Sequence, residues 1–319
     1  MRRLVPLLLI LILCPSILAA VGGWFVGPVF LHPIRRELSP ELIQEADVAF
    51  SRVGAHREEF DVRASDGILL RGWKVRAENP NGDWVLVFHG IADNRIGVMS
   101  HAEILLEAGY GVVMMDARAH GASEGPIATY GWLERHDTSA VIKALLASEA
   151  WPANSLTPFH LFALGESMGA GIALQSAASD VRIEAVVAEA SFANLTEAAY
   201  DYAGFRRSPL LGKTFLAPGA WTMVYRGQSL AGFPAAEVSP EKAVSSRAFP
   251  VLLICDADDV ALPCRHTQMI YAAARGPKQM WVVPGASHTA ALGGYPAEFQ
   301  YRVLAFYDSV RREQSSRVP

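Results

Sequence analysis

This chain is predicted to be an α/β protein built on a mostly parallel, doubly wound sheet, and two observations carry that reading. Six short runs, at residues 84–89, 111–116, 159–164, 183–189, 251–255 and 279–283, are apolar with little alternation, as strands covered on both faces are. Helical patterns fill most of the gaps between them, at 99–108, 134–147, 168–178, 264–274 and 296–311. Strand and helix taking turns imply a parallel sheet with helices on both sides. The 319 residues, 51% apolar and 19% charged, suffice for a large core. No linker, repeat or low-complexity stretch marks a boundary inside the globular part, which is expected to span residues 45–313. A net charge of −4, with basic residues scattered, gives no reason to expect nucleic acid as a partner.

Taken in order, the elements begin with an apolar segment. After Met1-Arg2-Arg3 no charged residue occurs until Arg35. The run at 4–31 is long enough to span a bilayer, which takes roughly 20 apolar residues. Two readings of residues 1–31 compete. As an uncleaved signal anchor, the favoured reading, the segment is a single membrane pass with Arg2 and Arg3 inside and the globular part outside the cytoplasm. Arg35 and Arg36 on the far side weaken that orientation. As a signal peptide, its apolar core is 4–13, Pro15-Ser16 breaks it, and cleavage near Ala20-Val21-Gly22 releases a secreted protein. Cys14 lies in this segment. Cys255 and Cys264 are expected to be buried free thiols, with a short disulfide loop as the alternative outside the cytoplasm.

Ser39 is a plausible cap for a short helix at 40–49. Residues 59–64 and 68–75 alternate in polarity around Asp66-Gly67, an antiparallel hairpin expected at one edge of the sheet. Residues 193–248 break the rhythm, since connections in such folds usually run about two to six residues. An insertion of this length suggests a cap over the site. Its aromatics Tyr200, Tyr202, Phe205, Phe215, Trp221, Tyr225 and Phe233 are expected to form the cap's own small core, or else to line an apolar pocket.

The chemistry gathers at predicted strand ends, where open parallel sheets collect their reacting groups. Gly165-Glu166-Ser167-Met168-Gly169 sits between a predicted strand and a predicted helix. A serine on so tight a turn is forced into a strained backbone and left exposed above the sheet, and the two glycines avoid clashes with the neighbouring strand and helix. The helix start directs unpaired N–H groups at the reacting centre. His89-Gly90-Ile91 follows the strand at 84–89, and Gly90 is expected to let the backbone approach closely. The Ile91 and Met168 amides are candidate oxyanion donors, each worth on the order of 3 kcal/mol. Asp256, Asp258 and Asp259 follow the strand at 251–255, and His288 follows the last strand. Ser167, an aspartate within 256–259 and His288 thus occur in the order serine, acid, histidine.

With those residues in place, the chain resembles the α/β-hydrolase family over about residues 57–313. The likeness rests on His89-Gly90, on Asp116-Ala117-Arg118-Ala119-His120-Gly121-Ala122-Ser123, on the pentapeptide at 165–169, and on Asp259-x-x-Leu262-Pro263 with Gly285-x-x-His288. Ala119 stands where the family usually has glycine, and Asp256 likewise. The family's spacing selects Asp259 as the acid, ahead of Asp258. Val238-Ser239-Pro240 is similar to members with short caps, among them esterases, thioesterases and serine aminopeptidases. The resemblance implies an acyl-enzyme mechanism. Ser167 would be the nucleophile and His288 the base, with Asp259 fixing the imidazole tautomer.

No cofactor or metal is expected for that chemistry, and His89, His120, His136, His160 and His266 do not form a zinc-like cluster. His120 reads as a structural residue of its loop. Glu166 is expected either to tune the pocket or to be held structurally. The leading expectation is a membrane-anchored serine hydrolase acting on a small-molecule carboxylic ester or related acyl compound. A peptidase of the same fold is the first alternative, with Glu189 or a cap residue gripping a free amine. A catalytically silent binding protein is the second.

Overall fold

The computed structural model describes residues 4–149, 159–201, 212 and 214–315. Its strands are β1 (His56–Glu59), β2 (Val62–Arg63), β3 (Leu69–Leu70), β4 (Gly72–Arg76), β5 (Trp84–Phe88), β6 (Gly111–Met115), β7 (Leu161–Glu166), β8 (Ala185–Glu189), β9 (Val251–Asp256) and β10 (Lys278–Val283). Among the described residues the helices are α1 (Leu4–Leu31), α2 (Pro40–Arg52), α3 (Met99–Glu107), α4 (Glu134–Ser148), α5 (Met168–Ser179), α6 (Leu195–Tyr200), α7 (Ala217–Ala231), α8 (Pro240–Ser246), α9 (Arg265–Ala273), α10 (Ala291–Gly294) and α11 (Pro296–Ser315).

Eight strands form one sheet in the order β1-β4-β6-β5-β7-β8-β9-β10. The six expected strands are its parallel part, β6 to β10 with β5 between β6 and β7. β4 joins β6 antiparallel and β1 closes that edge. The expected hairpin divides its labour: β2 and β3 pair as a small separate ribbon, while the chain on either side supplies β1 and β4 to the main sheet. Ser39 caps α2 by accepting from the Leu42 N–H at 3.3 Å, as its position before Pro40 suggests.

The central strands are dry on both faces, whereas the edge strand β10, expected to be covered on both, keeps only Trp281 and Val283 buried and leaves Met280 and Val282 exposed. Along β7, Phe162 and Leu164 enter a core with Phe50, Leu105, Phe299 and Tyr307, while Leu161 and Ala163 enter the opposite one with Leu145, Leu174 and Phe249. That is why these strands read as continuous apolar runs. Each fully buried large side chain contributes about 1.5–3 kcal/mol, so these two layers fix the position of every loop at the strand ends.

The N-terminal helix packs on α7 through small residues. Gly23 and Gly27 of α1 bring the two backbones close: a Cβ at Gly23 would collide with the Gly219 carbonyl, and one at Gly27 would lie 2.6 Å from the Met223 oxygen. The Thr222 hydroxyl donates to the Ala20 carbonyl at 2.7 Å, and Trp24 stacks on Tyr225. Such small-xxx-small pairing is the way apolar helices associate where water cannot drive them together. The helix runs unbroken through Pro15, where the signal-peptide reading expected a break. It is long and apolar enough to cross a membrane over Leu13–Leu31, a property that anchors and signal peptides share. Arg2 and Arg3 lie outside the described residues.

The end of α1 is tied to the body of the protein. The Leu31 carbonyl accepts from the Ala128 N–H at 2.9 Å and the Phe30 carbonyl from the Tyr130 hydroxyl at 2.6 Å. Arg35 then donates to the carbonyls of Ser123 and Gly125. Cys255 and Cys264 are disulfide-bonded, with Cα atoms 5.3 Å apart, so the default expectation of two free thiols is replaced. The bond spans the loop that carries Asp259.

Candidate active site

β7 ends in a turn whose backbone confirms the strain expected of it. Ser167 has φ 51° and ψ −118°, a conformation that L-residues avoid and that costs of order 1–3 kcal/mol. Glycine is required on both sides. A Cβ at Gly165 would lie 2.5 Å from the Gly169 backbone, and one at Gly169 would strike the Phe88 and His89 carbonyls. Gly90 differs from expectation: a Cβ there would meet Ser167 and Glu166 only at 3.6–3.7 Å, ordinary contact. Close approach therefore does not require glycine at that position.

The three residues drawn from distant strands meet. His288 Nε2 lies 2.8 Å from Ser167 Oγ, and His288 Nδ1 lies 2.6 Å from Asp259 Oδ2. Asp259 is buried, and its other oxygen accepts from the Ala261 and Leu262 N–H groups at 2.6 and 2.9 Å. Those donors aim its side chain. The carboxylate in turn makes Nδ1 the protonated nitrogen of His288, which leaves Nε2 to accept the Ser167 hydroxyl proton. Burial on its own would lower the His288 pKa. The Asp259 hydrogen bond and charge, with Asp256 and Glu166 nearby, outweigh that and raise it above the ordinary value.

Among the three aspartates, the other two separate by environment. Asp258 is exposed. Asp256 is buried, and one of its oxygens accepts the Thr289 N–H at 2.9 Å. Thr289 has a positive φ of 55°, so Asp256 pins the strained residue next to His288. Asp256 is thus a positioning residue, a role the sequence signalled only as an aspartate in a place where glycine is usual. Burial and the charge of Glu189 push its pKa up.

Behind the serine lies a buried acidic group. Burial pushes the Glu166 pKa up to about 7, with Glu189 and Asp93 adding to the shift and His101 opposing it. Glu189 accepts the Ala291 N–H at 3.0 Å and faces His101 Nε2 at 3.8 Å. It is 1% exposed and lies outside the pocket lining, which removes it as a grip for a substrate amine.

Ile91 and Met168 both line the cavity beside Ser167. Met168 opens α5, where a helix has N–H groups without intrahelical partners. His89 and His120 stack edge to face at 5.2 Å, behind this region. His89 donates from Nδ1 to the Gly90 carbonyl at 2.7 Å and accepts the Ala117 N–H at Nε2, 3.0 Å away. That bond ties the 89–91 turn to the next strand end. Burial lowers the His120 pKa to about 4, so both rings are neutral structural pieces. Asp116 gathers the rest of that motif, accepting from the Arg95 guanidinium and the Ala122 N–H.

A cavity of about 150 Å³ opens over Ser167. Its lining includes Phe30 and Leu31 of α1, Met223 of α7, Phe192, Phe233 and Leu262, and no charged side chain among the described residues. The cap aromatics follow neither expectation as a group. Phe233 lines the cavity, Trp221 and Tyr225 are exposed, and Tyr202 and Phe205 lie outside the described residues.

Residues 79–217 match the family model described as serine aminopeptidase, S33, a stretch that holds Ser167 but stops before Asp259 and His288. The uncharacterized protein YqkD of Bacillus subtilis is 26% identical over 92% of this chain and 98% of its own length. YfhR of Salmonella typhimurium is 29% identical over 75% of this chain and 77% of the relative. Among solved structures, the Pyrococcus furiosus esterase Pf2001 superposes with a TM-score of 0.68 at 22% identity, covering 88% of this chain and 98% of that one. The Pyrococcus horikoshii acylaminoacyl peptidase gives 0.62 at 17% identity, covering 83% of this chain and 43% of the other. The sheet order and the superpositions agree on the α/β-hydrolase fold, and the family-model match at residues 79–217 lies within it. The chain is a hydrolase.

Proposed function

We propose that the protein is a serine hydrolase that cleaves a carboxylic ester through an acyl-enzyme. The observation that carries this reading is the unbroken chain of contacts from Ser167 Oγ through His288 to Asp259, at 2.8 and 2.6 Å. His288 Nε2 takes the Ser167 proton as Oγ attacks the carbonyl carbon, and the Ile91 and Met168 amides receive the oxyanion. The protonated imidazole then gives its proton to the departing alkoxide, leaving an acyl-serine. Water, deprotonated by His288, attacks the acyl carbon. Ser167 regains its proton, and the net change is ester plus water to acid plus alcohol.

The pocket favours an ester over an aminopeptidase substrate. A free α-ammonium needs a carboxylate to replace its water, and a buried unpaired charge is costly. No charged side chain lines this cavity among the described residues. In the same reading, residues 193–248 are the cap of a hydrolase domain at 45–313, and residues 1–31 are an uncleaved anchor. The Cys255–Cys264 bond suits an oxidising, extracytoplasmic setting for the domain.

Side-by-side kinetics on p-nitrophenyl esters and aminoacyl p-nitroanilides test the proposal. Ester turnover that disappears in Ser167→Ala is the expected result. Preferred cleavage of anilides with a free amine would replace the esterase by a peptidase, and ester turnover that survives in Ser167→Ala would remove the nucleophile.

A further inference from the structure

The apolar N-terminal helix is part of the substrate pocket. Gly27, Phe30 and Leu31, from its last turn, line the cavity opposite Ser167, and α7 supplies Met223, Val224 and Gly227 beside them. An anchor that only tethers a soluble enzyme has no reason to reach its active site. Here the last turn of α1 is also held against the body by the Ala128 and Tyr130 hydrogen bonds.

The outer faces of the same two helices are apolar and uncovered. Leu18, Phe25 and Val29 of α1 are 71%, 73% and 64% exposed, and Trp221 and Tyr225 of α7 are 60% and 58% exposed. Trp24 stacks with Tyr225 and carries the Arg226 guanidinium over its ring at 4.6 Å. Tryptophan, tyrosine and arginine grouped at one level of an apolar helix mark the boundary between hydrocarbon and headgroups. Phe30 lies six residues further along α1, about 9 Å at the rise of a helix. That distance puts the mouth of the cavity beside the lipid surface, with exposed Phe25 and Val29 forming an apolar path toward it.

We infer that the substrate is a long-chain acyl ester held in the bilayer, and that its acyl chain passes along the α1–α7 face into the pocket over Ser167. This inference rests on the esterase reading above and adds the substrate class and its route. The occupant of the exposed face is lipid. The interfacial aromatic and arginine group and the charge-free run of 4–31 favour hydrocarbon over a second copy of the chain.

Photo-crosslinking of the full-length Ser167→Ala protein in dioleoylphosphatidylcholine vesicles tests the route without requiring turnover. The probe is a p-nitrophenyl ester of a palmitoyl chain whose diazirine sits close to the carbonyl, so that the reporter enters the pocket when the ester reaches residue 167. Adducts on Phe30, Leu31 or Met223 are expected. Adducts confined to outward residues such as Leu18 and Phe25, crosslinks between two copies through this face, or no adduct at all would each overturn it. Wild-type kinetics in the same vesicles supply a second reading. The kcat/KM for p-nitrophenyl palmitate should exceed that for dissolved p-nitrophenyl acetate by about tenfold or more, since each buried methylene raises binding severalfold. Equal values, with a serine that still reacts with a fluorophosphonate, would defeat the lipid inference and leave the esterase standing. Loss of that reaction would defeat the esterase reading itself.

Discussion

The sheet end beneath Ser167 and the roof that α1 and α7 lay over it are built by opposite means. At the sheet end each group of the site is held by directed bonds. Asp259 is aimed by two backbone N–H groups, His288 by Asp259, and Thr289 by Asp256. The roof is held mainly by close packing of glycines and by apolar surface, with hydrogen bonds from Thr222 to Ala20 and at the end of α1. Directed bonds fix which atom reacts, whereas packing fixes which molecule fits. The chemistry is therefore rigidly specified, and selectivity is open to change by substitutions that leave the chemistry intact.

Asp259→Asn tests the first half most severely. The amide keeps the shape but leaves His288 with the wrong tautomer, and kcat should fall by about 10⁴-fold with little change in the melting temperature. A loss of less than tenfold would mean that the imidazole is oriented by something else. On the roof side, Gly23→Leu forces a side chain into the Gly219 carbonyl. Overpacking of this kind costs about 1–3 kcal/mol, so kcat/KM for a long-chain ester should drop by about tenfold. The rate of reaction with a small fluorophosphonate should stay within a fewfold of wild type. If both fall together, roof and sheet end are one unit and the comparison fails.

The smallest effect concerns pH. His288 has its pKa raised above the ordinary histidine value of 6.5, yet as the proposed base it works only when neutral. The acid limb of kcat/KM should therefore lie above pH 6.5. Glu166 is one of the charges that raise it, so Glu166→Gln should move that limb to lower pH. A limb that stays put, or moves up, would show that the two groups do not interact. The linkage to stability runs the other way. A raised folded pKa means that the fold favours the charged imidazole. That contribution is complete below pH 6.5 and is lost as pH rises through the folded value. On the proposed mechanism, activity should be greatest where this part of the stability has been given up.

Much of the sheet end was legible in the residues. Runs covered on both faces announced the parallel strands, because side chains of β7 alternate between two dry cores and neither phase is polar. Ser167 and His288 stood out through strand-end placement, and Asp259 through its spacing to Leu262-Pro263. Asp256 was harder, since its partner is a backbone N–H in another loop. Ala119 carries φ 62°, a left-handed value usually left to glycine, so that departure from the family pattern carries local strain. The roof was legible in part: residues 193–248, which hold α7, read as a cap over the site, but the share of α1 in it was not visible. The segment at 4–31 read as an anchor because apolar length is all that a membrane span requires. Its share in the cavity depends on which helix faces which, and that is decided by the Gly23 and Gly27 contacts with α7. Exposed Trp221 and Tyr225 looked like core for the same reason: composition records apolarity and is silent on whether lipid or protein covers it.

The central claim is that Ser167 Oγ is the nucleophile. Labelling of the intact full-length protein with a fluorophosphonate, followed by peptide mapping, tests it directly. A single phosphonate adduct on Ser167, formed far more slowly in His288→Ala, is the predicted result. An unlabelled wild-type protein, or an adduct on any other residue, would contradict it.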